Sequence, residues 1–327
     1  MSNKKNSKKR YSLDQYKRDN FLFFLIISFF FIASTSLALT RNSPEPNPVL
    51  AQAPEYADIA LETDFPLLPA IKDDSQTFPV VSAQAALAID LNSGIPLFEK
   101  NPDEALLPAS TTKIVTALVT LDYYDTDTFL TVGKIKKEGQ RMGLYLGEEI
   151  SVQALLDGLL IFSANDAAEV LAASYEGGTI GFVNAMNQKA EEMNMKNTYF
   201  TNPAGFDGSD HVSTARDLVR ISAIAMRNPK FARIVGQTEK VVTSKDKKIV
   251  HRLKNTNKLL GKVDGVIGVK TGWTENAREN LVTYLERDGK KIIFVVLGSQ
   301  DRFGETEEII DWVFSNYSWE EVKMETP

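Results

Sequence analysis

The sequence predicts an α+β domain whose two ends share one antiparallel sheet. Three observations carry that expectation. Strand-like apolar runs open the folded region at 83–91 and 96–99, further strand-like runs close it at 266–271, 280–286 and 291–297, and 110–233 between them reads mainly as helices.

Residues 83–91 form an apolar run that meets the turn residues Asn92-Ser93-Gly94 and resumes at 96–99, which is the pattern of a hairpin. In the middle region, 151–162 puts Val152, Leu155, Leu156, Leu159 and Leu160 on one helical face. Asp288-Gly289 separates the last two strands as a tight turn. A closing helix at 305–317 presents Ile309, Ile310, Val313, Phe314 and Tyr317 as one stripe. These elements place the domain at 82–318, with 319–327 as a short tail.

Upstream, 1–20 carries seven Lys or Arg against Asp14 and Asp19, and 21–40 is a charge-free run long enough to span a bilayer. The basic head is expected to stay in the cytoplasm, leaving everything after the run outside it. The expectation is an uncut membrane anchor. Ser36-Leu37-Ala38 offers the alternative of a cleaved signal sequence. Residues 41–81 hold seven prolines, from Pro44 to Pro79, and read as an extended linker reaching roughly 35–120 Å.

Composition narrows the chemistry. The 327 residues are 43% apolar and 24% charged with net charge −6, and without the basic head the remainder stands at −11, which is no nucleic-acid signature. With no cysteine, disulfides, thiolate metal sites and cysteine nucleophiles are excluded. His211 and His251 are the only histidines, too few for a His-rich metal site.

Three short motifs bear reactive groups. In Pro108-Ala109-Ser110-Thr111-Thr112-Lys113, Ser110 and Lys113 lie one helical turn apart on one face. A neutral Lys113 can take the serine proton, provided burial or a second cation lowers a pKa that starts near about 10.4. In Ser163-Ala164-Asn165 the hydroxyl can relay a proton and the amide can hold a carbonyl and Lys113. Gly268-Val269-Lys270-Thr271-Gly272-Trp273 ends a strand on a cation and a hydroxyl, and glycine there permits close backbone approach. Read singly, each also fits a helix cap or a strand end meeting a turn.

Together the motifs form an ordered set, with 53 residues from Ser110 to Ser163 and 107 from Ser163 to Lys270. The chain resembles the D-alanyl-D-alanine carboxypeptidase family of serine peptidases, the low-molecular-mass penicillin-binding proteins, which share the β-lactamase/transpeptidase fold. Segments around Asn101-Pro102-Asp103-Glu104, Met142-Gly143-Leu144, Asn202-Pro203-Ala204-Gly205-Phe206, Ser213-Thr214-Ala215-Arg216-Asp217-Leu218 and Asn255-Thr256-Asn257-Lys258 extend the likeness. The resemblance implies that Ser110 is acylated with Lys113 as its base, that Ser163 and Asn165 relay and position, and that Lys270 and Thr271 clamp a carboxylate. Gly272 and Trp273 would border the substrate, with the Ser110 and Trp273 N–H groups as oxyanion hole. The implied substrate is a peptidoglycan stem peptide ending in two D-alanines. The implied inhibitors are β-lactams, and no metal or organic cofactor follows.

The chain departs from the family pattern at Ala204 and at Ala277-Arg278-Glu279, where Arg278 and Glu279 are expected to form a solvated pair. The sequence ends about ten residues past the closing helix, without room for the family's carboxy-terminal β-domain and tail anchor, so anchoring is expected of residues 21–40. His211 is expected to be a polar loop residue, and Trp312 and Trp319 to pack the final helix. Among other activities, a class A β-lactamase would need Glu followed four residues later by Asn, which none of Glu169, Glu176, Glu191, Glu192 and Glu239 has. A D,D-endopeptidase shares the same chemistry, and a non-catalytic penicillin sensor would not need the full set of reactive groups.

Overall fold

Residues 67–73, 77–135 and 138–321 are described by the computed structural model. Strand β1 (Leu68–Ile71) precedes the hairpin β2 (Ala85–Asp90) and β3 (Pro96–Lys100). A 3-10 turn, Ala109–Thr112, then runs straight into helix α1 (Lys113–Tyr123). The middle holds a short ribbon, β4 (Phe129–Thr131) with β5 (Glu149–Ser151), and helices α2 (Val152–Ile161), α3 (Asn165–Ala173), α4 (Gly178–Glu192), α5 (Ala215–Arg227) and α6 (Pro229–Val235). A second ribbon, β6 (Glu239–Thr243) with β7 (Val250–Lys254), leads to β8 (Val266–Thr274), β9 (Arg278–Arg287) and β10 (Lys290–Ser299). Helix α7 (Arg302–Asn316) and strand β11 (Tyr317–Glu320) are the last elements among the described residues.

The central sheet has the order β3-β2-β10-β9-β8, all neighbours antiparallel, so the first hairpin sits beside the last strand as the sequence predicts. Asp288 and Gly289 take φ of +51° and +75°, the backbone a two-residue hairpin turn requires. Strand β10 lies mid-sheet and is buried on both faces. Ile292, Phe294 and Val296 pack with Ile309, Ile310 and Val313 of α7, while Ile293, Val295 and Leu297 join Leu155, Leu159 and Leu218 of the helical side. The period-two alternation of one strand thus divides the core into two layers. Helix starts follow local chemistry: the Ser151 hydroxyl accepts from Ala154 N at 3.2 Å, Thr214 from Asp217 N at 3.0 Å, and the Asp301 carboxylate from Gly304 N at 3.0 Å.

Two boundaries differ from the sequence reading. Part of the stretch expected to be linker is folded, since β1 pairs with β11, and Trp312 Nε1 donates to Thr77 O at 2.9 Å. Pro69 and Pro79 mask this, because proline suits the rim of a two-stranded ribbon as well as a linker. Strand β11 likewise runs into the stretch read as tail, and Trp319 stacks on Phe314 at 5.8 Å. Among the described residues no helix is long and apolar enough to cross a membrane. The run at 21–40 lies outside them.

Candidate active site

The nucleophile's position is set by a strained turn. Ala109 holds φ +48° just before Ser110, which costs a non-glycine residue about 1–2 kcal/mol. The turn then places Ser110 and Lys113 on one face, with Lys113 Nζ 2.8 Å from Ser110 Oγ. The same nitrogen lies 2.8 Å from Asn165 Oδ1 and 2.5 Å from Ala204 O. A neutral amine has two N–H donors and one lone pair. Its donors match the two carbonyl oxygens, which cannot themselves donate, and its lone pair is left for the Ser110 hydroxyl proton. Burial pushes the Lys113 pKa down to about 7, with the Asp166 carboxylate pulling the other way. Of the two influences expected from the sequence, burial is the leading one. Lys270 is itself held well below the ordinary lysine value by burial, then by the Lys113 and Arg302 charges.

The second motif folds as expected from its polarity, between α2 and α3. Ser163 takes φ +62°, and its Oγ accepts from Lys270 Nζ at 2.8 Å. The amide of Asn165 is fixed at both ends, Oδ1 to Lys113 and Nδ2 donating to Glu138 O at 3.2 Å. Its neighbour Asp166, not singled out by sequence, has a larger structural part. Its carboxylate accepts from the N–H groups of Met142, Gly143 and Leu144 at 3.0, 2.8 and 3.1 Å, pinning the lip of the cleft beside Gly139 and Gln140.

The third motif is on β8, the edge of the central sheet. A Cβ added to Gly272 would stand 3.0 Å from Pro108 O and 3.2 Å from Ser110 N, so glycine lets the strand pass against the nucleophile's turn. From below, Gly205 (φ +87°) presses so close that an added Cβ would meet Ala109 O at 1.9 Å. Thr271 Oγ1 lies 2.7 Å from Thr256 Oγ1. Together these elements enclose a cavity of about 520 Å³ lined by Ser110, Ser163, Asn165, Thr271, Gly272 and Trp273, among others. Every predicted site residue except the lysines lines it, and both lysines lie just beneath, buried, each bonded to a lining serine.

Sequence reasoning missed Thr256, Arg302 and His211. Arg302 lines the cavity and donates through Nη1 to Gly272 O at 2.8 Å, while its buried Nε has no hydrogen-bond partner among the described residues. Glu279 does not pair with Arg278 as expected. Its carboxylate accepts from Arg302 N at 3.0 Å, because α7 begins beside β9. His211 is a polar loop residue as expected, but a buried one, since its ring bridges two segments. Nδ1 accepts from Thr201 N at 3.0 Å, which leaves Nε2–H to donate to Thr112 Oγ1 at 2.8 Å. Signals for these residues were weak, because each lies far along the chain from the group it serves.

A family model described as D-alanyl-D-alanine carboxypeptidase, peptidase S11, matches residues 72–301. The D-alanyl-D-alanine carboxypeptidase DacF of Bacillus subtilis is 32% identical over 271 residues, covering 79% of this chain and 69% of that protein. A D-alanyl-D-alanine endopeptidase of Pseudomonas aeruginosa is 34% identical over 237 residues, 71% of this chain and 75% of its own. The crystal structure of the Streptomyces K15 DD-transpeptidase superposes with a TM-score of 0.69 at 30% identity, covering 73% of this chain and all of that one.

Proposed function

The chain belongs to the S11 peptidase family of D-alanyl-D-alanine carboxypeptidases, and on that premise we propose that it removes the terminal D-alanine of peptidoglycan stem peptides through an acyl-enzyme on Ser110. The observation that carries the assignment is the environment of Lys113, a buried amine whose two donors are matched by Asn165 Oδ1 and Ala204 O and whose lone pair faces the serine.

The terminal carboxylate is bound at the cationic end of the cleft, by Thr271 and Thr256 hydroxyls with Lys270 and the free edge of Arg302 behind them. Lys113 takes the Ser110 proton as Oγ attacks the penultimate carbonyl carbon. The developing oxyanion is held by the Ser110 and Trp273 N–H groups. The C–N bond then breaks, and the leaving amine of D-alanine receives the proton through Lys113 and Ser163, which Lys270 orients. In the second half a water gives its proton to Lys113, its oxygen attacks the acyl carbon, and Ser110 Oγ departs with that proton. β-Lactams acylate the same oxygen.

The domain works outside the cytoplasm on this reading, which rests on the basic segment 1–20 ahead of the charge-free run 21–40. The test is to incubate the full chain with a peptide ending in D-alanyl-D-alanine and quantify free D-alanine. Release by the wild type and none by Ser110→Ala or Lys113→Ala is the expected result. No release by a wild type that still binds labelled penicillin covalently would overturn the carboxypeptidase assignment.

A further inference from the structure

Away from the catalytic cleft, a cavity of about 180 Å³ opens in the seam between α1 and α4. Its walls are Val119, Asp122 and Tyr123 on α1, and Ala185, Gln188, Lys189 and Glu192 on α4. Each set repeats at three- and four-residue spacing, which is one face of its helix. Val119 is buried and Ala185 half-buried, so these two make the floor, and the short alanine leaves the seam unfilled. Tyr175, from the turn between α3 and α4, completes the lining. The cavity shares no residue with the catalytic one, and Tyr123 lies ten residues beyond Lys113 on the same helix, roughly 15 Å along its axis.

Tyr123 is 45% exposed, yet its ring is fixed. The Tyr175 ring lies 4.2 Å from it at a tilt of 44°, and the Tyr124 ring meets it edge-on at 4.7 Å. Those two are anchored in turn, Tyr175 edge-on to buried Phe182 at 5.4 Å, and Tyr124 by its hydroxyl to Leu171 O at 3.0 Å. A ligand therefore meets an aromatic face that is already ordered. The charges beside it are already engaged. Lys189 Nζ donates to Asp122 Oδ2 and lies 3.7 Å from Glu192 Oε2, while Gln188 Nε2 donates to Glu192 Oε1 at 2.9 Å. Two carboxylates oppose an anion, and the one lysine is shared between them. What stays open is neutral: the Tyr123 and Tyr175 hydroxyls and Gln188 Oε1 have no hydrogen-bond partner among the described residues.

A pyranose sugar has the matching surface, with a face of C–H groups that lies flat on an aromatic ring and a rim of hydroxyl and acetamide groups that donate and accept. At about 180 Å³ the cavity is below the roughly 300–1,000 Å³ of sites for larger ligands, so it takes a single ring rather than a stretch of peptide. Resting on the carboxypeptidase reading, we propose that this seam is a glycan subsite in which Tyr123 stacks on one N-acetylated sugar of the strand that carries the stem peptides. A peptide joined to a strand held there reaches Ser110 at an effective concentration that a free peptide lacks.

The experiment titrates the full chain with N-acetylchitotetraose, a soluble oligomer of β-1,4-linked N-acetylglucosamine, after Ser110 has been acylated with penicillin so that the catalytic cleft is filled. Calorimetry is expected to show saturable binding by the acylated wild type. Affinity is expected to be at least about tenfold weaker for Tyr123→Ala, which removes the aromatic face, and for Ala185→Phe, which fills the floor. Both variants are expected to take up penicillin at the wild-type rate, which shows them to be folded. No binding by the acylated wild type, or wild-type affinity in both folded variants, would overturn the subsite. Binding of the oligomer by a protein that releases no D-alanine from a free peptide would leave the subsite standing and overturn only the carboxypeptidase reading.

Discussion

At the scale of single residues, the site depends on two buried bases kept neutral for different purposes. With the Lys113 pKa near 7, its lone pair is missing below that pH and present above it. The acylation rate constant of Ser110 with labelled penicillin is therefore expected to fall about tenfold per pH unit below 7 and to level off above it. An acylation rate flat from pH 5 to 8 would refute Lys113 as the base. His211 is neutral for structural reasons: its Nδ1 already accepts a backbone N–H, and burial holds its pKa down at about 4. Protonation would oppose Thr201 N–H and add a charge near Lys113, against only the Asp207 carboxylate. The sign is that of a depressed base. Stability is full above pH 6.5, where folded and unfolded forms are both neutral, and is lost as pH falls towards 4, by about 3 kcal/mol at most. Melting temperatures of wild type and His211→Asn, measured at pH 8 and pH 5, should show the wild type losing more of its stability on acidification. The reactive residues were legible in sequence because Ser110 with Lys113 and Ser163 with Asn165 sit one helical turn or less apart. Arg302 and Thr256 were not, since only folding brings them to the Gly268–Trp273 segment.

The elements that carry these groups are tuned by close approach. Strand β8 clears the nucleophile's turn only because Gly272 has no side chain. Gly272→Ala is expected to lower the rate of penicillin acylation by tenfold or more, since the added Cβ would displace Pro108 O, Ala109 Cβ and the Ser110 backbone. Asp166 is a different case, a buried carboxylate serving three N–H donors of the 142–144 segment. Asp166→Ala should cost about 2–4 kcal/mol, read as a lower denaturation midpoint, because three part-buried donors lose their shared carboxylate acceptor. Long elements with clean periodicity, such as α2, β9 and β10, could be read directly. The ribbon β6–β7 could not, because four of the five residues of β6 are exposed and its alternation carries little hydrophobic contrast. Short polar ribbons owe their existence to tertiary docking, which no local pattern records.

For the molecule as a whole, the domain is wider at both ends than composition suggests. The pairing of Leu68–Ile71 with Tyr317–Glu320, and the packing of Phe78 on Trp312 at 4.8 Å, tie residues before the main sheet to its last helix. A chain beginning at residue 80 is expected to melt several degrees below one beginning at 64, at roughly 2–4 °C for each kcal/mol lost in a domain of this size. Equal melting would show the ribbon to be ornamental. The central sheet carries a further consequence. Ala85–Asp90 pairs at once with Pro96–Lys100, but its other neighbour, Ile292–Leu297, comes some two hundred residues later, with helices α1 to α6 between them. During synthesis the early hairpin has no third strand to join until the last tenth or so of the polypeptide has emerged. A sheet built this way can close only after its final strands have arrived, so the early hairpin and the helices must wait on one late event to become a common core.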